Sequence, residues 1–270
     1  MSEYLAHAGD AGDDVPAVDP LPMPRPVALV TGAGGGLGSA ICRALAGAGF
    51  RVVVAYREAA SAAQLLAADL PGGGHLVVRA PVTDSGALAA AAKTVCEHYG
   101  VLDALVNCAG TTRFVAHDDL DGLDDALIDT ILSTNVRGPF AMVRAFHPLL
   151  ARSRQNGGGV VVNVSSIAAR TAMGSNVMYC ASKAALDNLT LSLARALSPA
   201  LRVVSVAPGL VDTEFVKSMD PAWREEQVAR TPLARLAQPQ EVAQAIVVAI
   251  RDLPFTTGCV LPVDGGRPLR

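Results

Sequence analysis

The residues that usually build metal sites and disulfide frameworks are few in this sequence and scattered along it. The chain of 270 residues holds five cysteines and five histidines. No C-x-x-C pair occurs, and neither residue type recurs at a spacing typical of metal ligands. We therefore expect reduced thiols and no metal site, which is typical of a cytoplasmic protein.

Basic clusters and long apolar runs are lacking as well. The formal net charge is -3, and no Lys/Arg-rich block stands out. We therefore expect neither nucleic acid nor an anionic membrane surface as a partner. No stretch is long and uncharged enough to span a bilayer, and the start of the chain does not resemble a secretory signal. With 51% apolar residues, the sequence predicts a soluble protein with a sizeable core.

Residues 1–26 differ in composition from the rest. Acidic residues dominate there, and prolines recur from Pro16 to Pro26, which excludes a helix and disfavours a central strand. We predict a disordered acidic and proline-rich tail over 1–26, with a docking arm as the alternative. A single domain would then cover 27–270.

From Val27 onward, short Val-rich runs alternate with longer helical patterns. The predicted strands are 27–30, 51–56, 75–79, 104–107, 160–165, 202–207 and 259–263. The helical patterns cover about 37–48, 59–70, 84–98, 124–151, a helix starting near Tyr179, and about 239–250. The strand runs do not alternate apolar and polar residues, as expected where helices cover both faces of a parallel sheet. The pattern predicts an α/β fold, doubly wound, with a mainly parallel sheet of about seven strands.

The first predicted strand leads into a glycine-rich segment, TGAGGGLG, from Thr31 to Gly38, and then into a helix. Glycines adopt positive φ and allow a phosphate to approach the backbone. Free amides at a helix N-terminus also favour an anion such as a pyrophosphate. The glycines are not in the usual G-x-G-x-x-G register, so a purely structural turn is the alternative.

Several motifs, in this order, resemble the short-chain dehydrogenase/reductase family. They are T-G-x-x-x-G-x-G from Thr31, N-C-A-G from Asn107, Y-x-x-x-K from Tyr179, P-G from Pro208 and V-D-G-G from Val263. The segments TPLARLAQPQEVA and TTGCVLPVDGG are similar to the branch of 3-oxoacyl-acyl-carrier-protein reductases. The resemblance implies a Rossmann-type domain, NAD or NADP as cofactor, and hydride transfer between the nicotinamide and a carbonyl or alcohol carbon.

The resemblance also implies the cofactor contacts. Gly32, Gly36 and Gly38 would hold the pyrophosphate, in a loop shared with Gly34, Gly35 and Leu37. The adenosine side would be lined by Asn107, Ala109 and Gly110. The nicotinamide side would be formed by Pro208, Gly209, Val211 and Thr213, beside Tyr179 and Lys183.

The charge after the second strand bears on the choice between NADP and NAD. An acid there accepts from the ribose 2′-hydroxyl, whereas a basic residue pairs with a 2′-phosphate. The strand ends at Tyr56, which is not acidic, and Arg57 follows. This favours NADP(H) over NAD(H). Two features weigh against NADP(H): the neighbouring acid Glu58, and the absence of a basic residue from the glycine loop. The alternative is that Arg57 is only a solvated charge at the end of the strand.

One position departs from the family pattern. An Asp or Asn usually precedes the valine that follows the third strand, whereas Pro81 precedes Val82 here. Proline offers no side-chain hydrogen bond, so we expect packing and the backbone near Val82 to hold the adenine.

Four residues match the family's active site: Asn135, Ser166, Tyr179 and Lys183. Reducing a ketone builds negative charge on its oxygen, so a proton donor and hydrogen bonds directed there lower the barrier. Tyr179 would exchange the proton, and we expect the Lys183 ammonium to lower its pKa. By resemblance, Ser166 rather than its neighbour Ser165 would orient the substrate oxygen, and Asn135 would support a water relay to Lys183.

Each match also has an ordinary structural interpretation. A serine at a strand end often caps a helix, and an asparagine within a helix often bonds locally. A tyrosine and a lysine at i and i+4 often only pack a ring and solvate an amine. The joint occurrence of the motifs favours catalysis. Cys180 and Ser182 are assigned to packing and the helix surface.

The segment 213–238 interrupts the alternation of strands and helices. It is polar and contains the only tryptophan, Trp223. Because doubly wound folds bind ligands at the carboxyl edge of the sheet, we predict a mobile substrate lid, with a rigid surface insertion as the alternative. The candidate pocket walls are Thr112, Arg113, Met173, Leu210 and Phe215.

The substrate stays open between a small ketone, an alcohol, a sugar and an acyl-CoA. The similar branch presents two arginines to its acyl carrier, but Gly157 and Ala200 stand at about those places here, which disfavours a carrier-bound substrate. The alternative functions are a catalytically silent nucleotide-binding sensor or scaffold, and a dehydratase or epimerase. The resemblance also implies a homotetramer or homodimer, formed through the helix near 124–151 and the Tyr179 helix.

Overall fold

A computed structural model describes residues 25–269, except for the side chain of Phe215. The predicted tail lies almost entirely outside the described residues. Every predicted strand is present, with bounds within two residues of the expected ones. The strands are β1 Val27–Val30, β2 Arg51–Tyr56, β3 Leu76–Arg79, β4 Ala104–Asn107, β5 Gly159–Val164, β6 Leu201–Pro208 and β7 Cys259–Val263.

The strands form one parallel sheet in the order β3-β2-β1-β4-β5-β6-β7. The order reverses direction between β1 and β4, which is the switch point where such sheets bind ligands beyond their carboxyl ends. The prediction of a doubly wound α/β fold is confirmed. Within the described residues β7 pairs only with β6 and forms one edge of the sheet. Pro262 lies within β7, at a position that only an edge strand tolerates because proline has no amide hydrogen.

Helices cover both faces of the sheet. They are α1 Gly36–Gly47, α2 Ala60–Asp69, α3 Ser85–Tyr99, α4 Asp125–Leu132, α5 Gly138–Leu150, α6 Ala168–Thr171, α7 Val177–Leu197, α8 Glu214–Lys217, α9 Pro221–Ala229 and α10 Pro239–Arg251. One core packs α1, α2 and α10 on the sheet, and the other packs α3, α5 and α7 on the opposite face. The five inner strands are therefore buried on both sides, which accounts for their continuous apolar runs, whereas the edge strands β3 and β7 are only partly buried.

The helix predicted over about 124–151 is not continuous. A π-helical turn, Ser133–Arg137, separates α4 from α5 and contains the buried Asn135. A π turn adds a residue to the helical repeat and is frequent at functional sites. The prediction of one uninterrupted α-helix was wrong at this point.

Candidate active site

The glycine-rich loop after β1 is tightly closed on itself. Gly32 has a φ of 67°, and its carbonyl accepts a hydrogen bond from the amide of Gly35 at 3.1 Å. A Cβ on Gly38 would collide with the Gly32 carbonyl oxygen and lie 2.9 Å from Cα of Ala33. Gly32 and Gly38 are thus required by the backbone, whereas a Cβ on Gly34 would meet nothing within 4 Å.

The N-terminus of α1 offers an anion site. Its N-cap residue, Gly35, supplies no side-chain cap. The first amides of α1 therefore have no side-chain acceptor at the cap and point along the positive end of the helix dipole. A Cβ on Gly36 would lie 3.5 Å from the Thr213 side chain, so the loop after β6 borders this helix end. These features fit the pyrophosphate of a dinucleotide.

Thr31 holds the loops after β1 and β4 together. Its hydroxyl accepts hydrogen bonds from the amides of Cys108 and Ala109, both at 3.0 Å. Asn107 was expected to line the adenosine side of the cofactor. Its side chain points into the sheet instead, where Nδ2 donates to Oδ1 of Asn163 at 2.9 Å. The sequence analysis did not predict this role of Thr31, although Thr31 is the first residue of the T-G-x-x-x-G-x-G motif.

A cavity of about 600 Å³ opens beyond the carboxyl ends of the strands. Ser166, Tyr179 and Lys183 all line it. The Ser166 hydroxyl lies near the Tyr179 phenol and opposes the rise that burial causes in its pKa. Nζ of Lys183 lies 5.7 Å from the centre of the Tyr179 ring and donates to the carbonyl of Val164 at 2.8 Å. The predicted serine, tyrosine and lysine are therefore brought to one place.

The pKa of Tyr179 is shifted against the sequence-based expectation. Burial raises the pKa of the Tyr179 phenol, and the Ser166 hydroxyl only partly opposes this. Burial also lowers the pKa of Lys183 to about 8, although Cys108 and Asp187 act in the opposite direction. The expectation that Lys183 lowers the pKa of Tyr179 is not met, because desolvation dominates both groups.

Asn135 is held behind the cavity wall rather than in it. Its Oδ1 accepts from the amide of Thr111 at 2.8 Å, and its Nδ2 donates to the Thr111 carbonyl at 3.0 Å. The same Nδ2 donates to Oγ of Ser182 at 3.1 Å, which donates to the Tyr179 carbonyl at 2.7 Å. Ser182 is fully buried, so its assignment to the helix surface was wrong. Asn135 thus links the π turn to the helix that carries Tyr179.

The other predicted residues fall into two groups. The residues that line the cavity are Leu37, Gly110, Thr112, Met173, Pro208, Gly209, Leu210, Val211 and Thr213. Arg113 does not line it, because Nη2 donates to the Gly122 carbonyl at 2.6 Å and lies near Asp124. The side chain of Phe215 lies outside the described residues.

The remaining cofactor positions lie outside this cavity. Arg57 forms an exposed ion pair with Glu58 at 3.1 Å. Tyr56 is half-buried at the end of β2. Val82 packs near Gly138 at the start of α5, where a Cβ would lie 2.8 Å from Cγ2 of Val82, while Pro81 is buried beside it. The edge at which the sequence predicts the adenine is thus lined by Tyr56, Pro81 and Val82, which are half-buried or buried.

The predicted lid segment lies over the cavity. Asp220 caps α9 by accepting from the amide of Trp223 at 2.9 Å. Trp223, Gln227 and Arg230 follow at helical spacing and all line the cavity. Sequence reasoning noted Trp223 but missed Gln227 and Arg230, whose i+4 and i+7 positions were the available signal.

Comparison with known proteins identifies the family. The family profile described as enoyl-(acyl carrier protein) reductase matches residues 32–267. The chain is 41% identical over 246 residues to the granaticin polyketide synthase putative ketoacyl reductase 2 of Streptomyces violaceoruber, covering 90% of this chain and 96% of that protein. This chain is a short-chain dehydrogenase/reductase. The predicted likeness of this short-chain dehydrogenase/reductase (SDR) to the branch of ketoacyl reductases is confirmed as well.

Two further relatives agree with this assignment. The SDR is 38% identical over 244 residues to a cis-4-hydroxycyclohexanecarboxylate dehydrogenase of Sinomonas cyclohexanicum, covering 89% of this chain and 95% of that protein. A crystal structure of a putative short-chain dehydrogenase/reductase from Burkholderia xenovorans superposes with a TM-score of 0.84 at 34% identity, covering 91% and 99% of the two chains. The SDR is therefore an oxidoreductase of a family that uses nicotinamide cofactors.

Neither a membrane-spanning helix nor a metal-binding cluster occurs in the part of the chain that the structure describes. Across 25–269, none of the helices of the SDR is long and apolar enough to cross a membrane. In the same range, no cluster of three or more His, Cys, Asp or Glu side chains could hold a metal ion.

Replacing the buried Lys183 with an uncharged residue tests how its charge affects the stability of this SDR. Below its folded-state pKa of about 8, Lys183 buries an ammonium that the charge of Asp187 compensates only in part, which opposes folding. We expect Lys183→Met to be more stable than the wild type near pH 7, by about 1–3 kcal/mol. Between about pH 8 and 10.5 the unfolded state holds more protons on Lys183 than the folded state, so wild-type stability rises there. The difference in the free energy of unfolding between Lys183→Met and the wild type should therefore become smaller over that pH range.

Denaturant unfolding of both proteins across this pH range measures the difference. The matched control is Lys93→Met, since Lys93 is exposed and pairs with Glu97 at 3.8 Å. The change with pH in the free energy of unfolding relative to wild type should be larger for Lys183→Met than for Lys93→Met. A constant Lys183→Met difference would contradict a perturbed lysine.

Proposed function

We propose that this SDR transfers a hydride between a nicotinamide cofactor and a carbonyl or secondary alcohol, with Tyr179 as the acid and base. The observation that carries the proposal is the convergence of Ser166, Tyr179 and Lys183 on one cavity. The glycine loop and the free N-terminus of α1, which fit a pyrophosphate, support it. When bound, the cofactor supplies the hydride chemistry.

The chain's own residues supply the proton and the orientation. Because burial raises the pKa of Tyr179, its phenol is protonated near neutral pH and suited to donate to the developing oxyanion of a ketone. Ser166, which lines the cavity together with Tyr179, positions the substrate oxygen. The Lys183 ammonium, 5.7 Å from the centre of the Tyr179 ring, stabilises the phenolate that remains when Tyr179 gives up its proton. Asn135, through Ser182, fixes the helical turn on which Tyr179 lies.

The relatives support a small-molecule carbonyl or alcohol as the substrate. One is named as a ketoacyl reductase and another as a dehydrogenase of a cyclic hydroxy acid. We propose a small ketone and its secondary alcohol. A homodimer or homotetramer is also proposed, supported by the exposed Phe140 of α5 and Leu191 of α7.

A substrate panel tests the proposal. Ketones and secondary alcohols are offered to the full chain with NADPH or NADH, or with their oxidised forms, and turnover is followed by nicotinamide absorbance. We expect turnover of at least one ketone class. Tight cofactor binding without turnover of any carbonyl or alcohol would favour the sensor hypothesis.

The preference for NADP(H) rests on Arg57 and has its own test. Hydrogen bonds between a guanidinium and a phosphate are charge-assisted and worth roughly tenfold or more in affinity. We expect Arg57→Gln to lower kcat/KM with NADPH about tenfold and with NADH by less than about twofold. The matched variant Glu58→Gln frees Arg57 from its ion pair and should raise the ratio of NADPH to NADH activity. Equal effects on both cofactors would overturn the assignment.

A further inference from the structure

The wall of the active-site cavity carries an excess of positive charge. Among the described residues that line it, the ionisable cations are Lys183, Arg230 and Arg267, and no Asp or Glu is present. The protein as a whole has a net charge of -3. The cationic lining is therefore local, and it favours a negatively charged occupant.

Of the two arginines in the cavity wall, Arg267 is more deeply buried than Arg230. It follows β7 in a short 3-10 turn, Arg267–Leu269, and only 7% of its surface is exposed. Nη1 donates to the Gln227 carbonyl at 2.8 Å and lies 3.5 Å from Oγ1 of Thr231, and Nη2 donates to Oε1 of Gln227 at 2.6 Å. All of these acceptors are neutral.

No carboxylate within the described part of the chain forms an ion pair with Arg267. Glu226 directly precedes Gln227, which Arg267 contacts, but its carboxylate pairs with Arg230 at 2.5 Å. Burial lowers the pKa of Arg267, the charge of Arg230 lowers it further, and the charge of Glu226 partly opposes both. A buried guanidinium is costly unless it is paired, and its planar fork matches a carboxylate.

A structural role accounts for part of this arrangement. The carbonyl of Gln227 belongs to the last turn of α9, where the helix dipole favours a cation. That role needs only a positive charge near the helix end. It does not require a guanidinium that also lines the cavity beside Trp223 and Gln227.

We propose that the substrate of this SDR carries a carboxylate, which Arg267 binds while the carbonyl or alcohol carbon lies at Tyr179. The ligand class is thus a small oxo acid or the corresponding hydroxy acid. The proposal rests on the proposed function, because it places the reacting carbon at Tyr179.

Ligand binding tests the carboxylate site without turnover. Trp223 is the only tryptophan in the chain and lines the cavity, so its fluorescence reports binding there. Cyclohexanecarboxylate and the neutral cyclohexanecarboxamide are titrated into the full chain with NADP⁺ present. We expect the carboxylate to bind at least about tenfold more tightly, as for hydrogen bonds between charged partners.

Variants of Arg267 assign the preference to that side chain. Arg267→Gln should abolish the preference for the carboxylate, and Arg267→Lys should keep part of it. The control is Arg43→Gln, since Arg43 lies on α1 and pairs with Asp69 at 2.6 Å. Thermal unfolding is recorded for each variant; should Arg267→Gln unfold, Arg267→Lys still decides the result. Equal binding of acid and amide by the wild type would overturn the proposal.

Turnover separates this proposal from the proposed function. The substrates are 4-oxocyclohexanecarboxylate and its methyl ester, which lacks the negative charge and carries one additional methyl group. We expect Arg267→Gln to lower kcat/KM about 10- to 100-fold with the acid and by less than about threefold with the ester. Equal losses, or weaker binding of NADPH by the variant, would overturn it. Absence of turnover with both substrates and the whole ketone panel would instead count against the proposed function, while the fluorescence result stands.

Discussion

Replacing Tyr179 with phenylalanine is expected to lower kcat/KM about 10²- to 10⁴-fold, the range that a positioned proton donor contributes. We expect the ring to stay in place, because the Tyr179 amide, which donates to Oδ1 of Asn176 at 2.6 Å, is unaffected by loss of the hydroxyl. The dissociation constant for NADPH should therefore change by less than about threefold, which is under 1 kcal/mol. Steady-state kinetics on a ketone from the panel, together with cofactor titration, measure both quantities.

The matched control is Tyr99→Phe. Tyr99 lies at the end of α3, and its hydroxyl donates to the carbonyl of Gly74 at 2.7 Å, away from the cavity. Removing this hydroxyl should leave kcat/KM within about twofold and cost about 1 kcal/mol of stability, as for one hydrogen bond. Substantial residual activity in Tyr179→Phe would assign the proton transfer to another group.

Replacing Gly38 with alanine is expected to distort the loop that follows β1. The new Cβ would collide with the Gly32 carbonyl oxygen and lie 2.8 Å from the Gly32 carbonyl carbon. These neighbours are backbone atoms of a closed turn, so the loop must shift rather than a side chain. Overpacking of this kind costs about 1–3 kcal/mol. We expect a lower melting temperature and a loss of NADPH affinity of more than about tenfold, because the displaced amides belong to the anion site.

The neighbouring Gly34 provides a control of the same chemistry. It is exposed, and an added Cβ meets nothing within 4 Å. Gly34→Ala should unfold at the wild-type temperature, which differential scanning calorimetry can compare directly. If both substitutions lower the melting temperature equally, the steric account of Gly38 is wrong.

The fold was largely predictable because its signal is repeated along the chain. Each valine run between helical patterns indicates a strand buried on both faces, and each such strand is present. The site motifs were predictable for a related reason, since the carboxyl ends of parallel strands meet at one edge. Ser166 after β5 and Tyr179 on α7 are brought to one cavity in this way.

The features that sequence reasoning missed depend on tertiary contacts. The π turn at Asn135 follows from its paired hydrogen bonds to the backbone of Thr111, which lies far from it in sequence. The raised pKa of Tyr179 depends on how completely the surrounding elements exclude water. Arg267 drew no attention because its surroundings come from the segment after β6, which no local pattern places beside the end of β7.

The proline in β7 has a consequence for how copies of the chain associate. An edge strand with free amides and carbonyls can template the addition of a strand from another molecule, and repeated addition leads to aggregates. Pro262 has no amide hydrogen to offer within this short strand. A foreign strand therefore cannot form an uninterrupted ladder along β7, so growth by continuous strand addition is blocked at this end of the sheet.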